Sequence, residues 1–208
     1  MATEQILQGV LFQSYSGFDK SFLFMSTLPI QDTMVSEDLF LKTELDAGIH
    51  HENGAFVHLC HATAQEVKGL DIKTVMDYGC GTGVYAMAFQ NEGFDVVAWE
   101  KFKAHKDYLA EKLPQIKIVD KPITTDLMLF IEVAEHMTDK ELDKLFKTIQ
   151  PKYILFSSTS ERTAWDLAWG HINVKEQSEW LKFFESKNYK LVRDVKVPTE
   201  WSKLFERV

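Results

Sequence analysis

The chain has 208 residues, 45% hydrophobic and 26% charged, which is enough for one domain with a sizeable core. Its formal charge of −8 counts against a broad polyanion-binding surface, so a nucleic-acid partner is not expected. Its two cysteines, Cys60 and Cys80, are too few for a disulfide framework, and no apolar run reaches the length of a membrane span. A reducing, cytoplasmic setting follows as the expectation. Met1 to Gln13 has no basic run ahead of its apolar residues and does not read as a secretory signal.

Met1 to Ile30 is rich in aromatics without a clean period. It reads as an N-terminal lid or packing arm, or as an aromatic wall formed by Tyr15 and Phe18 beside Gly17. Ser36 can cap a helix whose first turn carries Glu37 and Asp38, with Gly48 as its stop. A second helix is expected from Gly54 to Lys68, with Phe56, Leu59, Cys60, Thr63, Ala64 and Val67 on one stripe. His50, His51, His58 and His61 lie nearby. No Cys, Asp or Glu completes a ligand set at suitable spacing, so the histidines read as helix-surface groups, with His50 and His51 in a loop able to approach a cofactor. Residues 1–70 are expected to form a helical arm or lid, and residues 71–208 one compact domain.

From Lys73 strands and helices alternate. Strands are expected at Lys73–Tyr78, Asp95–Glu100, Ile116–Asp120, Asp126–Val133, Tyr153–Ser157, Tyr189–Val197 and Trp201–Val208. Helices are expected at Gly83–Asn91 and Ala104–Leu113. A third, reaching Ile149, opens with the capping box of Thr138 and Glu141; a fourth, reaching Lys187, opens with a box of Asn173 and Glu176. This alternation predicts an α/β, Rossmann-like, doubly wound fold: a mostly parallel sheet of about seven strands with helices on both faces. Ligands bind outside the carboxyl ends of such strands.

The first of those ends reads Asp77-Tyr78-Gly79-Cys80-Gly81-Thr82-Gly83, a strand, a glycine-rich turn and a helix start. Glycines permit the tight turn and the close approach of a ligand, and main-chain N–H groups at a helix start serve an anionic group. The spacing is G-x-G-x-G rather than G-x-G-x-x-G, and Glu100 ends the next strand, where an acid can accept from both ribose hydroxyls. That carboxylate disfavours a 2′-phosphate. With Asp77 directly before the first glycine, the stretch resembles motif I of the class I S-adenosylmethionine (SAM) methyltransferases. The resemblance implies SAM as cofactor, held by Asp77, Tyr78, Gly79, Cys80, Gly81, Thr82, Gly83 and Glu100, with Ile131 and Glu132 at the end of the fourth strand. Trp99 and Phe102 flank Glu100 and are candidates to pack on adenine; Asp120 is a candidate for its amino group.

The fourth strand runs into Glu132-Val133-Ala134-Glu135-His136. Three ionisable groups at the end of a buried strand are costly unless paired or coordinated. Glu132, Glu135 and His136, with His171 after the fifth strand, offer oxygens and nitrogens to a divalent ion such as magnesium, manganese or cobalt. This E-x-x-E-H with a later His resembles the ubiquinone-biosynthesis O-methyltransferases and the small-RNA 3′-terminal 2′-O-methyltransferases. The expected reaction is methyl transfer to a small-molecule hydroxyl, with His136 and His171 as catalytic candidates. Methylation of an RNA 3′ end and a non-catalytic SAM-fold binding protein are the alternatives. Trp165, Trp169 and Trp180 read either as the wall of a planar acceptor pocket or as cover over the sheet.

Overall fold

In a computed structural model of the chain, residues 36–160, 169–199 and 201–208 are described. Helix α1 (Glu37–Asp46) is capped by Ser36, whose side chain accepts from the Leu39 N–H, and helix α2 (Gly54–Gln65) is capped by Asn53. The chain then alternates β1 (Thr74–Tyr78), α3 (Val84–Asn91), β2 (Asp95–Trp99), α4 (Lys103–Lys112), β3 (Lys117–Ile118), β4 (Leu127–Ile131), α5 (Asp139–Thr148), β5 (Tyr153–Ser157), α6 (Gln177–Ser186), β6 (Tyr189–Asp194) and β7 (Lys203–Arg207). The expected Rossmann-like α/β fold is present.

The seven strands form one sheet in the order β3-β2-β1-β4-β5-β7-β6. Neighbours from β3 to β5 are parallel, while β7 runs antiparallel to both β5 and β6. The inner strands are mostly apolar because both faces are covered, with Asp77 and Ser157 as buried polar residues toward their carboxyl ends. Side chains alternate between the faces: Val75, Leu127, Leu129 and Leu155 join one cluster with Ala64, Phe89 and Leu109, whereas Met76, Met128, Phe130, Ile154 and Phe156 join another with Leu142, Phe146 and Phe184. Helices α2, α3 and α4 therefore cover one face, and α5 and α6 the other. Each fully buried Leu, Ile, Phe or Met contributes about 1.5–3 kcal/mol.

The connection after β3 returns to the far side of β1, so the order reverses between β1 and β4. Their carboxyl ends lie side by side at this switch point, where open α/β sheets bind ligands. At the opposite edge the Asp126 carboxylate accepts from the N–H groups of Lys73 and Thr74 and from the Thr74 hydroxyl, pinning β1 against β4.

Several expected boundaries shift for local reasons. Strand β4 stops at Ile131 because Glu132 takes a left-handed conformation, φ +52°. Strand β3 keeps two residues at the sheet edge, leaving Asp120 exposed in a bend beyond it. The Thr138–Glu141 box opens α5 as expected. The box of α6 is Glu176 with Glu179, not Asn173 with Glu176. Asn173 is engaged elsewhere: its side-chain amide donates to the Met137 carbonyl and the Asp139 carboxylate. Among the described residues no helix is long and apolar enough to cross a membrane.

Candidate active site

The turn after β1 needs its glycines. Gly79, Gly81 and Gly83 all have positive φ, at +70°, +50° and +75°. The geometry also forbids side chains at two of them: a Cβ on Gly79 would stand 2.8 Å from Val133 Cγ2, and one on Gly83 would stand 2.3 Å from Leu109 Cδ2. The N–H groups of Gly79 and Cys80 both donate to the Trp99 carbonyl, so the turn is tied to the end of β2. Glu100 follows directly, and its carboxylate accepts from the N–H groups of Gly81 (3.0 Å) and Phe102 (2.8 Å). The acid expected at this place thus faces the middle of the glycine turn.

Asp77 is 4% exposed, and its Oδ2 is buried without a hydrogen-bond partner. Burial pushes its pKa up to about 7, against the lowering effect of the Ala86 amide, and the Glu100 charge raises it further. Tyr78 is buried against Trp99, ring centroids 4.6 Å apart, and burial pushes its phenol up to about 12. Cys80 and Thr82 are buried, and both cysteines are free thiols. Ile131, at the end of β4, is partly buried.

After β4 the chain curls into a 3-10 turn, Ala134–His136. The curl brings three of the four expected metal-binding residues together: ligand atoms of Glu135, His136 and His171 all lie within 4.8 Å of one another. The His136 and His171 rings stand edge to face at 4.6 Å. Glu135 is 0% exposed with both carboxylate oxygens unpartnered, and burial together with the Glu132 charge holds its pKa well above the ordinary value. Such a carboxyl calls for a proton or a cation. Burial and the His171 charge hold His136 down at about 4, in the neutral form that can ligate a metal or accept a proton. Glu132 does not join the three: its Oε1 accepts from the Ser157 hydroxyl at 2.5 Å. The Asn173 N–H donates to the Glu135 carbonyl, holding the segment of His171 on the turn of His136.

Trp169 lies beside this cluster, edge to face with Phe40 of α1 at 5.0 Å, and Phe40 also meets the His136 ring at 6.1 Å. Trp180 is core, 2% exposed and packed on Phe156 and Phe184. Phe102 packs on Phe40 and His105 rather than standing alone beside Glu100. Trp165, Tyr15 and Phe18 lie outside the described residues. His61 pairs with Glu92, and His51 meets the Tyr108 hydroxyl at 3.1 Å. His50 and His51 line a cavity of about 230 Å³ with Tyr108 and Lys112, to which no residue of the glycine turn contributes.

Sequence reasoning expected α1 as a helix with Leu39, Phe40 and Leu45 on its apolar face, and the helix is there, but Glu44 was given no role. Phe40 and Glu44 lie four residues apart and so on one helical face. Glu44 Oε2 is 2.6 Å from Nε2 of His105, which is 1% exposed. Phe40 meets the rings of Phe102 and His105. The spacing of Phe40 and Glu44 was readable; the facing groups on α4 were not.

Residues 47–192 match the family model described as a methyltransferase domain. Over 150 residues the chain is 25% identical to a ubiquinone biosynthesis O-methyltransferase of Rickettsia bellii, an alignment covering 61% of this chain and 62% of that protein. The chain therefore spans less than two thirds of the length of the curated relatives it matches. Among solved structures, the mitomycin 7-O-methyltransferase MmcR is similar with a TM-score of 0.59 at 17% identity, covering 100% of this chain and 67% of that one. The methyltransferase domain of bacterial CtHen1-C is similar with a TM-score of 0.53 at 15% identity, covering 73% and 98%. At these identities the two structures share the fold with this chain.

Proposed function

The chain belongs to the methyltransferase-domain family, and from that premise we propose that this SAM-dependent enzyme methylates a hydroxyl oxygen of a small, planar molecule. The observation that carries the reading is the meeting of two groups of residues at one sheet edge. The glycine turn with Glu100 lies on one side, and Glu135, His136 and His171 on the other, joined where Val133 packs on Gly79. Residues 71–208 form the catalytic unit in this reading, with α1 reaching that edge through Phe40 and Glu44 and α2 packed on one face of the sheet.

SAM supplies an electrophilic methyl group. Glu100 accepts from the ribose hydroxyls, exchanging its present bonds to the turn for bonds to the ligand. Asp77 lies behind the turn, beside Cys60, Cys80 and Tyr85, and orders it from below through the Ala86 amide. The Gly79–Gly83 segment, with Ile131 and Glu132 opposite, shapes the channel for the amino-acid part of the cofactor. On the acceptor side Phe40 and Trp169 present ring edges and faces to a planar substrate. His171 and His136 stand where the acceptor's proton must go, and positioning of acceptor against methyl contributes the larger part of the rate.

Glu135, His136 and His171 also fit a divalent ion. One buried carboxylate with unpartnered oxygens and two imidazole nitrogens form a mixed donor set suited to magnesium, manganese or cobalt, with no thiolate among them. Such an ion would make a bound hydroxyl easier to ionise. A small-molecule hydroxyl is preferred over an RNA end because the chain carries a net charge of −8.

The test is transfer of labelled methyl from SAM to a panel of phenols and catechols, with amines and short RNA 3′ ends alongside. Labelled phenol ethers support the reading. Transfer to RNA or amines alone, with none to hydroxyl compounds, would overturn it.

A further inference from the structure

The cofactor reading gives the ammonium of the amino-acid end of SAM no side-chain partner. Asp77 is poorly placed for it, being enclosed behind the turn. On the other side of Gly81 stands a second carboxylate. A Cβ built on Gly81 would lie 3.4 Å from Glu44 Oε1, while the Gly81 N–H donates to Glu100. The turn therefore runs between two acids, one on α1 and one at the end of β2.

We propose that Glu44 is a cofactor-recognition residue whose carboxylate receives the SAM ammonium over Gly81, and that His105 is the positioning residue that holds it there. The proposal rests on the cofactor reading above. Glu44 lies outside the residues that match the family model, 47–192. Its two oxygens divide the work: Oε2 takes the His105 Nε2 at 2.6 Å, and Oε1 is the atom facing Gly81. The His105 ring is locked between Phe40 and Phe102, so the pair has little freedom to swing away.

Electrostatics selects the ligand group. Burial and, after it, the Glu100 charge raise the cost of ionising Glu44, and His105 is the basic side chain paired with it among the described residues. A phosphate or carboxylate at Oε1 would add a third negative charge, whereas a cation relieves the repulsion. Of the two cationic centres in SAM, the ammonium carries N–H donors for a carboxylate; the sulfonium carries none. With the ribose on Glu100, the amino-acid end of a ligand threading the turn passes Gly81 toward Glu44.

The experiment is calorimetric titration of the full chain with SAM, S-adenosylhomocysteine and 5′-methylthioadenosine. The last keeps the nucleoside and lacks both ammonium and carboxylate. Glu44→Gln keeps the shape and an acceptor for His105. It should weaken SAM and S-adenosylhomocysteine by the same factor, about tenfold to a hundredfold, and leave 5′-methylthioadenosine within about twofold. His105→Asn should give a smaller loss with the same split between ligands. Unchanged S-adenosylhomocysteine affinity in Glu44→Gln overturns the proposal and leaves the cofactor reading intact. A parallel loss for 5′-methylthioadenosine also overturns it, since Glu44 would then serve the nucleoside or the fold. A loss confined to SAM would place Glu44 at the sulfonium and likewise overturn it. Wild-type protein that binds none of the three ligands would remove the cofactor reading itself, and this proposal with it.

Discussion

Val133 packs directly on Gly79: the space a Gly79 Cβ would need, 2.8 Å from Val133 Cγ2, is already taken. The turn after β1 and the turn after β4 are therefore one wall, and a change in either is felt by both.

Gly79→Ala should destabilise the protein by about 2–4 kcal/mol, combining the positive φ with the clash. Adding Val133→Ala removes the clash and leaves the φ strain, so it should recover part of the loss. Chemical denaturation of the two single variants and the double variant gives the coupling, expected at about 1–2 kcal/mol. Purely additive losses would mean that the two residues do not meet.

Glu100→Ala should lower SAM affinity about tenfold to a hundredfold while the protein stays folded, because charge-assisted hydrogen bonds contribute about 1.5–3 kcal/mol. Calorimetry on the folded variant decides this. An unchanged dissociation constant would remove Glu100 from the ribose.

The acid-side behaviour follows from Asp77. Burial raises its folded pKa from 3.8 to about 7. Between those values the folded state holds the proton and the unfolded state does not, so this group's contribution to stability is full below about pH 4 and is lost as the pH rises through 7. Asp77→Asn should flatten that slope. Urea midpoints of wild type and variant, measured from pH 4 to 8, check it; parallel profiles would show that Asp77 does not titrate as its burial implies.

For the metal, the readout is binding rather than turnover. Cobalt added to chelator-treated protein should give a visible absorption that Glu135→Gln weakens and His136→Ala or His171→Ala abolishes, with SAM affinity little changed. Cobalt spectra identical in wild type and His136→Ala would return these residues to a purely structural turn.

Much of this arrangement is written in short windows of sequence. The glycine turn is legible because positive φ at Gly79, Gly81 and Gly83 demands glycine locally, and Glu100 is legible because it ends the neighbouring strand. The Thr138–Glu141 box is a three-residue matter, and the alternation of apolar runs with amphipathic ones specifies a layered α/β sheet. Other features were decided only by packing. Strand β7 slots antiparallel between β5 and β6, a placement that no local pattern encodes. Asn173 reaches across to Met137 and Asp139 instead of capping α6, because those partners become available only once β4 and β5 are paired. Trp180 enters the core while Trp169 stays at the site, although both are tryptophans in the same stretch. Glu44 and His105 are 61 residues apart and meet because α1 lies against α4. Backbone conformation and capping are settled by neighbours in the chain; which side chains face each other across a cleft is settled by how separate elements bury their apolar faces, and that is where the charge pattern of this site was made.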